Sequence, residues 1–84
     1  GSFPDDVVRK AWLRAGTRCE CKRTTHKWHV GRCVQNLSWR DGGKETIVGW
    51  EAHHKVSQDK GGEDSLENCE ILCMACYKAV TSPG

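Results

Sequence analysis

The chain lacks what would place it in a membrane or in a repeat array. No stretch approaches the roughly 20 apolar residues of a membrane span, and hydrophobic residues fill only 37% of the 84 positions. A membrane protein is excluded on that ground. No apolar h-region opens the sequence, so no secretory precursor is expected, and Gly1-Ser2 reads as an expression scar outside the fold. Internal repeats and low-complexity tracts are missing too. What remains is one small domain. Chains of this length bury only about 60% of their unfolded surface, too little for a generous core without a staple.

Cysteine is what the sequence has in excess. Six thiols in 84 residues mean disulfides or a metal. A disulfide framework would need an extracellular setting and leaves 15 pairings open. The spacings favour metal. Cys73-Met74-Ala75-Cys76 is a CxxC, and Cys19-Glu20-Cys21 lies far upstream, followed by His26, His29 and Cys33. Thiols and imidazoles mixed at these intervals suit tetrahedral zinc, and a zinc-thiolate protein belongs in a reducing, cytoplasmic compartment.

Charge is uneven along the chain. Residues 1–44 carry 10 Lys/Arg against 4 Asp/Glu, and residues 45–84 carry 3 against 7. The basic half permits a polyanion-binding surface beside an acidic half that attracts cations. Four thiolates on one Zn²⁺ would bring the formal +2 close to neutral, so net charge alone does not establish nucleic-acid binding.

Pro4-Asp5-Asp6 followed by Val7, Val8, Ala11, Trp12 and Ala15 predicts an N-terminal helix within residues 3–16, stopped by Gly16. Arg9, Lys10 and Arg14 mark its other face, as a solvated surface or a phosphate contact. Residues 17–33 read as a metal-bound loop, Val34 to Arg40 as a short strand, and Asp41-Gly42-Gly43 as a turn. Thr46 to His54 reads as a second strand, Lys55 to Leu66 as a surface loop, Cys69 to Leu72 as a brief strand, and Cys73 to about Val80 as a helix cut off by Pro83. From Trp50 onward the order is strand, His53-His54, loop, Asn68, strand, CxxC, helix: a ββα unit. Adjacent histidines on a strand face opposite sides, so one is available to a metal and the other to a substrate. Phosphodiester hydrolysis needs that pairing, a cation to polarise the phosphate and a neutral imidazole to deprotonate water.

These residues resemble the HNH (ββα-metal) endonucleases. The match is carried by Trp50-Glu51-Ala52-His53-His54-Lys55, by Gly61-Gly62-Glu63-Asp64-Ser65-Leu66-Glu67-Asn68 and by Ile71-Leu72-Cys73-Met74-Ala75-Cys76, and it spans about residues 17–81. The resemblance implies a small α+β, zinc-stapled ββα-metal (His-Me finger) domain over 17–84, preceded by the N-terminal helix. It implies a metal-dependent DNA endonuclease that nicks or cleaves phosphodiester bonds. His53 takes the place of the catalytic-metal ligand, His54 that of the general base, and Asn68 that of the asparagine that orients the base-bearing strand. The position after the CxxC is normally the last histidine, or asparagine, and holds the catalytic Mg²⁺, Mn²⁺ or Ni²⁺. Here it is Tyr77. A phenol, with a reference pKa of about 10, is a poor ligand for a hard divalent ion. Three readings follow: an inactivated mutant, a natural pseudo-nuclease, or an active variant that uses His53, water and Thr81 or Glu51.

In the resembling family one structural zinc is commonly held by two knuckles. The first knuckle is split here, which pairs Cys19 and Cys33 with Cys73 and Cys76; Cys21 in place of Cys19 is the alternative. Cys21, His26, His29 and Cys69 are left as a second tetrahedral set, against the plainer reading of one zinc with Cys69 a buried thiol. DNA contact is expected from Lys55, Lys60, Lys78 and Arg32, with Lys22, Arg23, Lys27 and Arg40 supplying the rest. It should be salt-sensitive and of little sequence preference, because nothing resembles a major-groove recognition helix. Trp28 is the one tryptophan placed to touch DNA. The rival function is a zinc-stapled nucleic-acid-binding module without catalysis, and a third is a protein–protein zinc module. Tyr77 separates the first two.

Overall fold

The computed structural model describes residues 3–82; Gly1-Ser2 and the Pro83 stop lie outside them. The first element, α1 (Asp5–Ala15), starts where the sequence favours a helix. Asp5 and Asp6 occupy its positive end, Arg14 its negative end, and the amides of Val7 and Val8 both reach Pro4 O at 3.1 Å. Gly16, at φ 65° and ψ 44°, closes it by returning its N–H to Trp12 O, a left-handed cap that glycine adopts without a Cβ penalty. Ala11 and Ala15 are buried; their small side chains let the helix lie close to the sheet.

The sheet has two strands. β1 (Trp50–His54) and β2 (Cys69–Cys73) pair antiparallel, with Trp50 opposite Cys73, Ala52 opposite Ile71 and His54 opposite Cys69. Every residue of β2 is buried, and the neighbours Ile71 and Leu72 are both fully so. Since neighbours on a strand point to opposite faces, β2 is covered on both. The helix α2 (Met74–Thr81) follows β2 without a linker. Cys73 therefore ends a strand while Cys76 sits in the first turn of a helix.

Upstream, residues 17–21 run beside 33–37. Leu37 N–H donates to Thr17 O, Cys19 N–H to Gln35 O, and Cys33 N–H to Cys21 O at 2.7 Å. The strand expected over Val34 to Arg40 is reduced to the bridge Arg18–Asn36, and Trp39–Asp41 turns into a 3₁₀ helix. Trp39 turns to close a cluster with Trp12 and Trp50, whose ring centroids lie 4.8–5.5 Å apart. The expected strand from Thr46 shortens to Trp50–His54 for a related reason. Thr46 and Gly49 are held in turns, the Gly49 amide on Thr46 O, and Ile47 faces solvent. Lys44 O lies 1.8 Å from where a Gly49 Cβ would stand, so only glycine fits there.

Arg14, read from sequence as a solvated or phosphate-binding side chain, is engaged within the fold. Arg14 grips the Glu20 carboxylate with Nε and Nη2, both at 2.7 Å, and donates to the carbonyls of Leu66 and Cys69. Glu20 in turn accepts from Ile71 N–H at 3.0 Å, while its own amide donates to Ile71 O at 2.8 Å. Burial alone would raise the Glu20 carboxyl; Arg14 and the Ile71 amide outweigh it and hold it below the usual range. Helix, loop and the free edge of β2 thus meet on one carboxylate. Glu20→Ala should cost about 2–3 kcal/mol in urea unfolding, because it strands a guanidinium and a buried amide. Glu20→Gln should cost less. An alanine variant within 0.5 kcal/mol of the parent would show the clasp to be ornamental.

Candidate metal centre and active-site pocket

The elements above bring four thiols to one point. Cys19 and Cys33 come from the paired segments, Cys73 from the end of β2 and Cys76 from α2. All four are buried, and their sulfurs lie within 4.8 Å of one another. Zinc–sulfur bonds of about 2.3 Å at the tetrahedral angle put sulfurs about 3.8 Å apart, so the set fits such an ion. The Cys73 amide donates to Cys19 Sγ at 3.2 Å. A hydrogen bond from the Cys19 thiol brings Cys73 down to about 5, while the same contact pushes Cys19 up.

A second group gathers beside the first. Cys21, His26, His29 and Cys76 also place their ligand atoms within 4.8 Å of one another, all buried. Cys76 stands here in place of Cys69, which corrects the sequence reading. Cys69 lies opposite His54 at the far end of β2, and four residues of strand, about 13 Å, separate it from Cys73. Burial pushes its thiol up to about 11; it is a core side chain. Spacing alone offered no signal that one cysteine belongs to both groups.

The ββα face forms a second, shallower site. Ala52, His53, His54, Ser57, Gln58, Asp59 and Tyr77 line a cavity of about 240 Å³. The His53 ring lies edge-on to Tyr77, with centroids 6.2 Å apart, and burial lowers its pKa, which keeps it neutral at pH 7. His54 stacks on Phe3 at 3.8 Å, and its Nε2 lies 2.8 Å from Asp64 Oδ1. Hydrogen bonding to His54 lowers the Asp64 carboxyl. An ionised carboxylate only accepts, so Nε2 carries a proton in this pair, and Nδ1 is the ring nitrogen left free of it. Phe3, Asp64 and Asp59 were not singled out from sequence; an acid in the Gly-containing loop between His54 and Asn68 was the one available hint.

Asn68 ties that loop to the strands. Its Oδ1 accepts from Val56 N–H at 2.8 Å, and its Nδ2 donates to the carbonyls of Val56 and Glu63, both at 2.9 Å. Its backbone O accepts from Lys55 N–H. The residue directly after the base-bearing strand is therefore pinned to the start of β2.

A family model described as HNH endonuclease matches residues 32–82, more than half of the chain. The chain belongs to the HNH endonuclease family. Its α+β architecture, with a two-stranded sheet, a following helix and a Cys/His cluster able to hold zinc, is the ββα-metal fold. The HNH match takes in Cys33, His53, His54, Asn68, Cys73, Cys76 and Tyr77, and starts after Cys19, Cys21, His26 and His29. No curated protein and no solved structure matches the chain.

Among the described residues, metal-ligating groups of three or more Cys, His, Asp or Glu occur only in the two Cys/His sets. The HNH pocket is lined by His53, His54, Asp59 and the Tyr77 phenol, and its two imidazoles and carboxylate do not gather into a three-ligand group. Neither Thr81, whose hydroxyl turns back to donate to Tyr77 O at 2.7 Å, nor Glu51 is among the residues lining the cavity.

The basic residues sort into free and engaged. Arg32 donates to the carbonyls of Cys19, Ala15 and Arg18, so its guanidinium is spent on the end of α1 and the knuckle rather than on DNA. Arg23 pairs with Glu70 at 3.0 Å, and Lys78 lies 3.3 Å from Glu45 on the surface. Lys55 and Lys60 are exposed. Trp28, half-exposed, donates its indole N–H to Cys76 Sγ at 3.4 Å and stacks on His26. No helix among the described residues is long and apolar enough to cross a membrane.

Removing the Asn68 amide should free the 55–63 loop. Asn68→Ala is expected to cost about 1–3 kcal/mol and to speed hydrogen exchange at Lys55 and Val56 while the α1 amides stay protected. Asn68→Asp should be no better, since it turns an oxygen toward two carbonyls. Unchanged exchange in both variants would contradict this role.

Proposed function

We propose that this HNH chain is a DNA phosphodiester hydrolase whose turnover is strongly reduced by Tyr77. The observation that carries the reading is His54, at the mouth of the His53/Tyr77 pocket, with Nε2 committed to Asp64 and Nδ1 left to accept a proton. In the proposed step a water attacks phosphorus, its proton passes to His54 Nδ1, the P–O3′ bond breaks, and the leaving oxygen takes a proton from solvent. Asp64 offsets the charge of the imidazolium, and Asn68 and Phe3 fix the ring. A divalent cation at such a site supplies charge stabilisation on the phosphate and leaving oxygen. His53 is neutral and suited to ligation, and Tyr77 is where the second imidazole is wanting. A structural zinc on Cys19, Cys33, Cys73 and Cys76 completes the account.

Lys55 and Lys60 flank the loop over the pocket and suit phosphate contacts. Such contacts position a duplex without reading its sequence, so binding is weak, salt-sensitive and nearly indifferent to sequence. The incomplete ligand set also favours a second reading, a DNA-binding module that keeps the scaffold without catalysis.

Supercoiled-plasmid nicking with Mg²⁺, Mn²⁺ or Ni²⁺ decides. Tyr77→His should nick at least tenfold faster than the parent, and adding His54→Ala to it should abolish the gain. A parent that nicks as fast as Tyr77→His would overturn the assignment of Tyr77. Inert proteins throughout, with DNA still shifted at low salt, would replace the hydrolase by the binding module.

A further inference from the structure

The segment 22–32 falls almost wholly outside the HNH match, yet it carries two buried histidines. His26 and His29 are each about 9% exposed, a costly position for imidazoles without partners. Their geometry is specific. His26 Nδ1 lies 3.5 Å from Cys21 Sγ and 3.3 Å from His29 Nε2. Zinc bonds of about 2.0–2.1 Å to nitrogen and about 2.3 Å to sulfur, at the tetrahedral angle, place N and N about 3.3 Å apart and N and S about 3.6 Å apart. Both edges agree to a tenth of an ångström or so.

Hydrogen bonding alone does not account for the cluster. His29 Nδ1 lies 2.9 Å from Gly31 O, and a carbonyl only accepts, so Nδ1 carries the proton and Nε2 presents a lone pair inward. The one position at His26 Nδ1, a proton or a lone pair, would have to meet both His29 Nε2 and Cys21 Sγ. A cation satisfies all of them at once. The outer contacts are those of a ligated set: a carbonyl on the far nitrogen of His29, the Trp28 N–H on Cys76 Sγ, and the Arg23 guanidinium 3.4 Å from Cys21 Sγ.

We infer that the chain holds two zinc ions joined through Cys76, one on Cys19, Cys33, Cys73 and Cys76, the other on Cys21, His26, His29 and Cys76. The sharing follows from the coordinates of one sulfur, which lies within ligand range of both sets. Charge is consistent with it. Five thiolates and two Zn²⁺ sum to −1, and Arg23, paired to Glu70 as well, stands against that excess. Zinc–sulfur bonds of about 2.3 Å on either side of one thiolate keep the ions within about 4.6 Å of each other. The site is independent of whether the pocket hydrolyses DNA.

Metal analysis of the full chain, purified in zinc and desalted, provides the test. Two zincs per chain are expected. His26→Ala and His29→Ala should each drop to one while the amide spectrum of α1 and the sheet stays folded, and Cys69→Ala should keep two. With ¹¹³Cd in place of zinc, two metal resonances should appear, and the Cys76 β-protons should couple to both. One zinc in the parent, or two retained in both histidine variants, would overturn the second site. Two resonances with Cys76 coupled to only one would overturn the bridge.

Discussion

Convergence of buried sulfurs at the junction of β2 and α2 is the constraint on which the rest of this structure depends. A sheet of two short strands is marginal by itself, and the helices are too short to persist in water on propensity. Cys73 closes a strand, Cys76 opens a helix, and Cys19, Cys21 and Cys33 bring a segment far away in sequence to the same point. A metal held there would fix the angle between β2 and α2 and anchor the 17–37 segment against the sheet edge. The Glu20 clasp then carries that anchorage to α1. Apparent free energies of about 10–16 kcal/mol for structural zinc in small domains exceed what a core of this size supplies.

The nuclease face inherits its geometry from the same junction. His53 and His54 project from β1, whose register against β2 is set by the Trp50–Cys73 pairing at the metal end. Tyr77 follows Cys76 on the first turns of α2, so its ring is carried toward His53 by the helix that the metal site orients. The His53/Tyr77 pocket and the Cys/His cluster are therefore mechanically one unit. Tyr77 fits the fold without strain on the pocket, its ring meeting His53 edge-on with centroids 6.2 Å apart.

Much of this was legible in the sequence, for reasons that differ element by element. Pro4, the early acids and Gly16 are local signals and place α1 correctly. The CxxC after an apolar strand, with His53-His54 and Asn68 at fixed separations, announces the ββα unit because local chemistry and spacing agree. The apolar run before Trp50 misleads: a strand needs a ladder of partners, and the Ser38 N–H on Val48 O is a single contact, with Thr46 and Gly49 held in turns. Arg14 and Arg32 look like surface charge because the carbonyls they meet lie 13 to 55 residues away in sequence. Cys69 reads as a ligand by counting thiols; counting does not reveal that a ligand can be shared, and it cannot weigh 13 Å of strand.

The most direct measurement of the central claim is the far-UV circular dichroism and amide spectrum of the full chain titrated with a strong chelator under reducing conditions. Loss of helix signal and collapse of amide dispersion as metal leaves, with recovery when zinc is returned, is the result this account predicts. A chain that keeps its dispersed spectrum after complete removal of metal would contradict it, and would assign the fold to its apolar core instead.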